Sequence, residues 1–562
     1  MNRRHFLASA AATILASNTS VLAPRGYHVT HVLRGALVFD GSGTPPSEID
    51  VALDGDRIAA VGRRLDVGNV SATDLRGLAL APGFIDIHGH TDLGLLVNPQ
   101  AESKVRQGVT TEVTGQDGSS IGPWTDEQYE EVRDGVRERL NVDLPFRHIR
   151  EFFDWVDEHG AALNVASMVG QGTIRGYVVG KDERRATDAE IHLMVEEVRA
   201  ALNNGACGLS SGLEYTPGAF ADTGEIEQLA SPLADTGLPY ASHLRNEDDR
   251  VFGALEEAIH IGRMASVPVE ISHLKAQGGR NWWKATALLE TISGARESGV
   301  DIGFDVYPYI AYSTGLASLF PVSIRDGGTD AFVARLQDDE ITTAVEAQVR
   351  AKIDQLGGWD QVQISGTASG ELAWAQGRRL GALATERGED PYGLAVELLV
   401  ADRGRTDMVG FGMSEENVEM QLAHPLAAVC SDGGARATYG PLSEDVPHPR
   451  TFGAFPRVLG YYVREREIMA LESAIHKMTA LPAERLGLTD RGIVRPGACA
   501  DLVAFDPDTI ADRATFEDPH HYPTGIPHVW VNGIQVIRDG EQTGALPGRS
   551  ARPSIPPLRP DR

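Results

Sequence analysis

The sequence predicts an α/β fold, a (β/α)8 TIM-like barrel with a small β-sandwich domain formed from both chain ends. In the middle of the chain, short apolar runs of strand length alternate with amphipathic helical segments, a pattern that predicts a parallel sheet. There are about eight such runs, the number that closes a barrel, and no glycine-rich dinucleotide or phosphate-binding fingerprint favours an open sheet. Strand-like sequence near both ends of the chain predicts the small β-sandwich domain.

The two ends are expected to pair with each other. At residues 28–80, alternating apolar runs flank Asp54-Gly55, and beyond residue 486 similar runs flank Asn532-Gly533. Both dipeptides are typical of tight hairpins. We therefore expect a small β-domain of residues 25–81 plus 487–545 and a barrel of residues 82–486.

Two further segments do not fit this division. Residues 313–375 lack the barrel's alternation, and we expect an insertion there that forms a mobile flap over the site. Residues 546–562 are rich in proline and arginine, which predicts a flexible tail.

The N-terminus is predicted to be an export signal. Arg3 and Arg4 precede Phe6 and Leu7 and then an alanine-rich stretch too short for a stable membrane anchor. The arrangement resembles a bacterial twin-arginine signal, which exports proteins already folded; an ordinary secretory signal with a chance arginine pair is the alternative. We expect residues 1–24 to act as this signal, no membrane anchor, and a periplasmic location.

Composition excludes several classes of partner. The chain of 562 residues carries 79 acidic and 51 basic side chains, a net charge of -28, which would repel nucleic acid and anionic lipid. Its 3 cysteines, Cys207, Cys430 and Cys499, are too widely spaced for a disulfide framework or a zinc ribbon. We expect free buried thiols and a small-molecule substrate, and the sequence leaves the oligomeric state open.

Histidines and a carboxylate end several of the predicted barrel strands. His88 and His90, in FIDIHGHTD, are alternate residues and so share one face of a strand. Such a pair alone is a weak signal, but His243 ends LPYASH, His273 ends PVEISH, and Asp432 follows LAAVCS. Because parallel barrel strands end at one mouth, these residues predict a metal site. Imidazole and carboxylate ligands favour zinc, and manganese, cobalt, iron or nickel less strongly.

These residues and the longer motifs around them resemble the amidohydrolase superfamily, and within it the N-acyl-D-amino-acid deacylase (D-aminoacylase) family. The motifs are PGFIDIHGHTD at 82–92, QGVTTEVTG at 107–115, GLSSGLEYTPG at 208–218, HLRNEDD at 243–249, ISHLKAQG at 271–278, DVYPYIAYSTGL at 305–316, SDGG at 431–434 and HPRTFGAFPRVLGYYVRE at 448–465. The resemblance covers essentially all of the chain after the signal.

The resemblance implies a role for each matching residue. The implied metal ligands are His88, His90, His243, His273 and Asp432, and Asp432 is also the implied general acid/base. The implied holders of the substrate's α-carboxylate are Lys275, Tyr307, Ser313 and Arg450. A packed aromatic is the alternative for Tyr307, and a residue without a binding role is the alternative for Ser313. The implied cofactor is zinc, as one or two ions.

One motif departs from the family. Where the family reads GNCG, with a cysteine thiolate on the metal, this chain reads GQDG, so Asp117 stands in the ligand's place. A carboxylate keeps the site anionic but is harder than sulfur, which leaves the identity and number of the metal ions open. The alternative for Asp117 is a turn cap. Glu214 is another candidate carboxylate, for which we expect a supporting place beside the ligands.

The function that the resemblance implies is metal-dependent hydrolysis of N-acyl-D-amino acids to a D-amino acid and a carboxylate. Water bound to the metal would ionise near neutral pH and attack the amide, while Asp432 carries the proton to the departing amine. One alternative is a cyclic-amide hydrolase or a dipeptidase of D- or iso-linked substrates, although GLSSGLEY lacks the lysine that often bridges two metals in those enzymes. Another is a non-catalytic binding protein with a degenerate metal site.

Overall fold

The N-terminal segment forms five strands of the small β-domain. A computed structural model describes residues 28–558, so the predicted signal of residues 1–24 lies outside the described residues. The strands are β1 (His31–Val38), β2 (Ser47–Asp54), β3 (Arg57–Gly62), β4 (Ser71–Asp74) and β5 (Ala79–Pro82). β2 and β3 form the hairpin expected near Asp54-Gly55, where Gly55 adopts a positive φ of 57°.

Parallel strands of the barrel follow in chain order. They are β6 (Phe84–Asp86), β7 (Val109–Thr114), β8 (Asn164–Ser167), β9 (Val169–Gly170), β10 (Leu209–Gly212), β11 (Tyr240–His243), β12 (Val269–Ile271) and β13 (Ile302–Val306). β6, β7 and β8 pair in one parallel sheet, and β9 to β13 pair in sequence in another. Because only Met168 separates β8 from β9, these two short segments together form one strand of the barrel.

Helices connect these strands, as the alternating pattern predicts. They are α1 (Glu102–Val105), α2 (Asp126–Leu140), α3 (Ile149–His159), α4 (Gln171–Val178), α5 (Asp188–Asn203), α6 (Thr223–Ala230), α7 (Val251–Ala265) and α8 (Lys284–Glu297). Thr125 and Thr187 begin α2 and α5 with capping boxes, in which the threonine side chain and a glutamine or glutamate three residues later bond reciprocally to backbone N–H groups.

After β13 the chain leaves the barrel, as expected, but for longer than predicted. β14 (Tyr312–Gly315), β15 (Val362–Gly366) and β16 (Asp407–Gly410) form an antiparallel sheet in the order β14-β16-β15. Its helices are α9 (Thr329–Leu336), α10 (Asp339–Leu356), α11 (Leu380–Arg387) and α12 (Pro391–Ala401). Because β16 pairs with both other strands, the inserted unit extends to Gly410 rather than ending at residue 375.

The chain then returns and closes the barrel. α13 (Glu415–Ala423) leads to β17 (Ala427–Val429), which pairs in parallel with β13. Just beyond the strand ends, a parallel bridge joins Gly89, after β6, to Gly433, after β17. The predicted (β/α)8 barrel therefore has its eight strands, which are β6, β7, β8/β9, β10, β11, β12, β13 and β17.

The C-terminal segment completes the β-domain. α14 (Arg450–Arg457), α15 (Leu471–Met478) and α16 (Ala480–Arg485) precede β18 (Leu502–Phe505), β19 (His528–Val531), β20 (Ile534–Arg538) and β21 (Glu541–Gln542). β18 pairs antiparallel with β5, so strands from both chain ends lie in one hydrogen-bonded sheet. β19 and β20 flank Asn532-Gly533, the second expected hairpin.

The segment after this domain is not a loose tail where the structure describes it, at residues 546–558. Gly548 N–H donates to the Ala161 carbonyl at 2.7 Å and Ala551 N–H to the Val165 carbonyl at 2.8 Å, so the segment runs along β8. The Arg552 guanidinium pairs with Asp157 on α3 at 3.0 Å. The arginine-rich composition that predicts a solvated tail instead supplies partners for acidic residues of the barrel.

The interior agrees with the composition. One large apolar core fills the barrel and its helices, and a smaller one lies under the β-domain around Leu33, Leu502 and Trp530. The three cysteines are buried and free, as expected. Within residues 28–558, no helix combines the length and the apolar character that crossing a bilayer requires.

Candidate metal centre and active site

The first two histidines lie at the mouth of the barrel, just beyond β6. His88 is fully buried, whereas the His90 side chain is 35% exposed to the cleft. Their ring centroids are 5.2 Å apart, as expected for alternate residues on one face. Asp305, near the end of β13, lies 3.5 Å from His88 Nδ1, so a carboxylate stands behind this ring on the side away from His90.

The second histidine pair, His243 and His273, comes from two adjacent barrel strands. His243 ends β11 and His273 lies two residues beyond β12, and the parallel pairing of these strands brings His243 Nδ1 to 3.0 Å from His273 Nε2. The His273 backbone has a φ of 34°, and its N–H donates to Asp305 Oδ1 at 2.8 Å. This hydrogen bond fixes the turn that points the ring toward His243.

Asp117 lies between the two pairs. Its Oδ1 atom is 3.5 Å from His88 Nε2, 3.3 Å from His273 Nε2 and 3.6 Å from His243 Nδ1, and its Oδ2 atom is 3.7 Å from His90 Nε2. The residue has a φ of 53°, and Gly118 beside it packs directly on β10, where a side chain would collide with backbone. The departure from the family motif therefore lies at the centre of the site.

These donors fit a divalent cation. The atoms of His88, His90, Asp117 and Asp432 that could bind a metal lie within 4.8 Å of one another, as do those of Asp117, His243 and His273. Among the described residues, His88 Nε2 and Asp117 Oδ1 are buried without a hydrogen-bond partner. Buried polar atoms without partners are costly, and nitrogen and carboxylate donors suit zinc. Since Asp117 belongs to both groups, the residues can hold one ion or two ions that share this carboxylate.

The charges of these donors point the same way. Burial lowers the pKa of His243, but Glu247 and Asp117 more than offset it and raise the pKa to about 10. Burial would raise the pKa of Asp117, yet the neighbouring His88, His273 and His243 hold it well below its usual value. The site therefore holds an ionised carboxylate that attracts positive charge, supplied either by protons on the histidines or by a metal ion.

Asp432 faces the histidine pair of β6. Its Oδ1 atom lies 3.1 Å from His90 Nε2 and 3.8 Å from His88 Nε2, and its Oδ2 atom accepts a hydrogen bond from the Arg450 guanidinium at 2.7 Å. Burial acts to raise the pKa of this carboxyl, but Arg450 dominates and depresses it strongly. One oxygen is thus available to the histidine side while the other is held by a cation.

The four predicted carboxylate-binding residues line the same cleft, with a volume of about 830 Å³. The Tyr307 ring lies between Lys275 Nζ, 5.8 Å from its centroid, and the Arg450 guanidinium, 4.8 Å from it. Arg450 also approaches the Ser313 carbonyl oxygen at 3.5 Å. Ser313 lies on β14, so the inserted unit borders the cleft. The arrangement concentrates two cations on one wall.

The sequence analysis missed several partners of these residues. Glu247 accepts a hydrogen bond from Lys275 Nζ at 2.7 Å and from Gln277 Nε2 at 2.7 Å, and its Oε1 atom lies 3.1 Å from His273 Nδ1. Glu247 belongs to a loop after β11, where no strand alternation marks it. Glu214 Oε2 lies 3.9 Å from His243 Nε2, and Glu214, His243 and Glu247 also offer ligand atoms within 4.8 Å of one another.

Comparison with known proteins gives a family for this chain. A model described as the amidohydrolase family matches residues 441–537. The D-aminoacylase of Alcaligenes xylosoxydans xylosoxydans is 36% identical over 524 residues, 92% of this chain and 96% of the relative. The N-acyl-D-aspartate deacylase of the same organism is 38% identical over 526 residues, 93% of this chain and 95% of the relative.

A solved structure agrees with these relatives. The N-acyl-D-glutamate deacylase of Bordetella bronchiseptica, in complex with zinc and a phosphonate that mimics the tetrahedral intermediate, is 34% identical. It superposes with a TM-score of 0.79 over 93% of this chain and 99% of the other. The chain belongs to the D-aminoacylase (N-acyl-D-amino-acid deacylase) family of the amidohydrolase superfamily.

Proposed function

We propose that this protein hydrolyses the amide bond of N-acyl-D-amino acids, releasing a D-amino acid and a carboxylate. The observation that carries the proposal is the placement of Asp432, which lies 3.1 Å from His90 of the metal-ligand cluster and 2.7 Å from Arg450 on the cationic wall. One side of this carboxylate faces the place where water is activated, and the other faces the place where a substrate carboxylate would bind.

The residues proposed to hold the metal are His88, His90, Asp117, His243, His273 and Asp432. A zinc ion bound there would polarise the amide carbonyl and lower the pKa of a bound water to roughly 7. The chain's own residues supply the remaining steps. Asp432 accepts the proton of the attacking water and later donates it to the amine nitrogen, which leaves as the C–N bond breaks.

The cationic wall orients the substrate. An α-carboxylate between Lys275 and Arg450 would be held over the Tyr307 ring, next to the hydroxyl of Ser313. Arginine can form two parallel hydrogen bonds with a carboxylate, which fixes its plane as well as its position. With the carboxylate and the acyl carbonyl both fixed, the side chains of the two enantiomers would point in different directions, which would make the site selective for one of them. The proposed preference for the D-enantiomer rests on the similarity to D-aminoacylase and N-acyl-D-aspartate deacylase.

The proposal is tested with paired D- and L-enantiomers of N-acyl amino acids, using protein reconstituted with zinc. We expect hydrolysis of the D-compounds, loss of activity after metal removal, and recovery on readdition of zinc. Hydrolysis of the L-compounds alone, or an inactive preparation with a full complement of zinc, would contradict the proposal. N-acetyl-D-methionine, N-acetyl-D-aspartate and N-acetyl-D-glutamate cover neutral and acidic side chains.

Two alternatives from the sequence are less well supported. β10 reads LSSG and carries no lysine that could bridge two metals after carboxylation, which counts against the cyclic-amide hydrolases and dipeptidases. A non-catalytic binding protein with a degenerate metal site is also disfavoured, because Asp117 supplies a possible carboxylate ligand at the position where the family motif has a cysteine. Assays with a cyclic amide and a D-dipeptide extend the same substrate panel.

We also propose export through the twin-arginine route to the bacterial periplasm. The proposal rests on the text of residues 1–24, with Arg3 and Arg4 ahead of Phe6 and Leu7. A metal enzyme that must fold around its ion before export suits a route for folded proteins. In cell fractionation, replacing both arginines by lysine should leave the protein in the cytoplasm, whereas unchanged periplasmic recovery would contradict the proposal.

A further inference from the structure

A buried charged network lies directly behind the metal-ligand cluster. Its centre is Lys104 on α1, whose side chain is fully buried. Lys104 Nζ donates to Asp86 Oδ2 at 2.7 Å, to Ser431 Oγ at 2.7 Å and to the Gly433 carbonyl oxygen at 2.6 Å, and it lies 3.1 Å from Glu112 Oε1. None of these residues takes part in the proposed chemistry.

The partners of Lys104 lie immediately beside residues of the site. Asp86 ends β6, two residues before His88. Ser431 and Gly433 flank Asp432 on either side. The ammonium group therefore joins the strand that carries the histidine pair to the loop that carries the proposed acid/base.

The network holds the backbone on both sides of Asp432. The residue has a φ of 50°, in the left-handed region that is uncommon for residues other than glycine, although aspartate enters it more readily than most. Ser431 N–H donates to Asp86 Oδ1 at 2.9 Å, and Gly433 N–H donates to Ser431 Oγ at 3.2 Å. Asp432 N–H donates to the His88 carbonyl at 2.8 Å, which ties the loop directly to the histidine strand.

The network is closed on its other side by Thr91. Glu112, on β7, accepts hydrogen bonds from the Thr91 N–H at 3.2 Å and from the Thr91 hydroxyl, which itself accepts from Ala435 N–H at 2.8 Å. The buried Lys104 ammonium group has four acceptors, of which two are carboxylates. Because it is shielded from solvent, the geometry of the network is rigid. Removal of the cation would leave two buried carboxylates without their shared partner.

From this geometry we infer that Lys104 is a positioning residue, which sets the place of the Asp432 carboxylate relative to His90 through Asp86, Ser431 and Gly433. The inference rests on the proposed function, because it assigns Lys104 a part in that reaction. It predicts that loss of the network slows the chemical step while substrate binding is retained, since the cationic wall is not part of the network.

The test compares three variants of the full-length, zinc-loaded enzyme. Lys104→Met removes the cation. Ser431→Ala removes one hydroxyl and keeps the charged side chains of Lys104, Asp86 and Glu112, so it provides the test if Lys104→Met does not fold. Lys477→Met is the matched control, because Lys477 is also buried but, among the described residues, donates to the carbonyls of His424 and Ala427 near β17 and to no residue of the Lys104 network. Steady-state kinetics, zinc content and melting temperature are measured for each variant, and the crystal structures are solved.

We expect kcat to fall about 100-fold in Lys104→Met and about 10-fold in Ser431→Ala, with KM changed less than about 3-fold, because small displacements of a reacting group have effects of this size. Lys477→Met should lose thermal stability and keep its kcat. An unchanged kcat in Ser431→Ala, or an equal loss in Lys477→Met, overturns the inference.

The crystal structures separate this inference from the proposed function. If the wild-type enzyme hydrolyses none of the D-compounds, the proposed function fails, but the position of Asp432 in the variants still decides the role of Lys104. We expect Asp432 Oδ1 to move away from His90 Nε2 in Ser431→Ala. A carboxylate that stays in place in that variant contradicts the inference, whatever the activity.

Discussion

Asp117 faces all four histidines of the metal-ligand cluster, and its role is testable. In Asp117→Ala the four histidines lose the carboxylate that faces all of them, so we expect zinc affinity to fall at least ~10- to 100-fold and activity with it. In Asp117→Cys a thiolate takes the same place and should bind zinc more tightly, because sulfur is the softer ligand. Zinc content after dialysis against graded concentrations of chelator measures both effects.

Asp432 and His243 should respond differently to substitution. Asp432→Asn keeps the side-chain shape and removes the proton acceptor, so we expect activity to fall about 10²- to 10⁴-fold with zinc retained through the remaining ligands. His243→Ala removes a buried imidazole from the ligand cluster, so we expect zinc itself to be lost. Metal analysis of the two purified variants separates these outcomes, and near-normal turnover in either one would contradict its assigned role.

At the residue scale, the sequence predicts best what lies at strand ends. His88, His243, His273 and Asp432 could be identified because barrel strands end at one mouth, and the alternation of a strand fixes which side chains point together. Lys104 could not be found in this way. A lysine two residues after a glutamate in a short helix is typical of a solvated charge, and the Lys104 acceptors at Ser431 and Gly433 lie more than 300 residues away along the chain.

At the scale of elements, the sequence predicts both hairpins and the pairing of the two chain ends, but not the far boundary of the insertion. The hairpins at Asp54-Gly55 and Asn532-Gly533 follow from turn chemistry that operates within a few residues. The far boundary of the insertion depends on β16, which pairs with β14 across about 90 residues of sequence. No local pattern marks such a pairing, so the predicted end of the inserted unit, at residue 375, lies before the observed end at Gly410.

The C-terminal segment is the element whose role can be measured most directly. Deletion of residues 548–562 removes the backbone hydrogen bonds of Gly548 and Ala551 along β8 and the pairing of Arg552 with Asp157. We expect a loss of about 2–3 kcal/mol in the free energy of unfolding, since each of the two backbone hydrogen bonds contributes about 1 kcal/mol and the ion pair less. Calorimetry measures this loss.

Activity at 25 °C serves as the control for that deletion, because the segment lies far from the cleft in contact with α3 and β8. We expect kcat and KM to remain at their wild-type values. A truncated protein with an unchanged melting temperature would show that the hydrogen bonds along β8 are not maintained in solution.

At the scale of the whole molecule, the two chain ends and the barrel form one connected structure. Asn532, in the hairpin of the β-domain, donates to Asn164 Oδ1 of β8 at 2.7 Å, and its N–H donates to Asp501 Oδ1 at 2.7 Å. The same asparagine that makes the turn therefore also joins the two domains. Turn chemistry predicts the hairpin, but only the tertiary structure shows that a turn residue is buried between domains.

The stability of the whole molecule should depend on pH in a way that reveals the metal site. In the metal-free protein the pKa of His243 is raised to about 10, against 6.5 for an unfolded histidine, because Glu247 and Asp117 outweigh the effect of burial. A folded pKa above the unfolded value stabilises the fold fully below pH ~6.5 and loses that stabilisation as pH rises toward 10. In the zinc-loaded enzyme, the ligating histidine is already unprotonated, so this loss is absent.

The difference in melting temperature between zinc-loaded and metal-free protein should therefore widen as pH rises from 6.5 to 9.5. His88, whose pKa is also raised by Asp117 and Asp305 against the effect of burial, changes in the same direction as His243. Ionisation of a zinc-bound water would widen the difference further. Groups away from the site are common to both forms and largely cancel. Thermal denaturation at several pH values, with and without chelator, measures the effect. Metal-free His243→Gln is the matched control, because it keeps a polar side chain without a titrating nitrogen. Its melting temperature should fall less steeply between pH 6.5 and 9.5 than that of the metal-free wild-type protein. A difference that stays constant or narrows with rising pH would mean that the histidines carry no proton that zinc must displace, and that Asp117 and Glu247 do not govern this site.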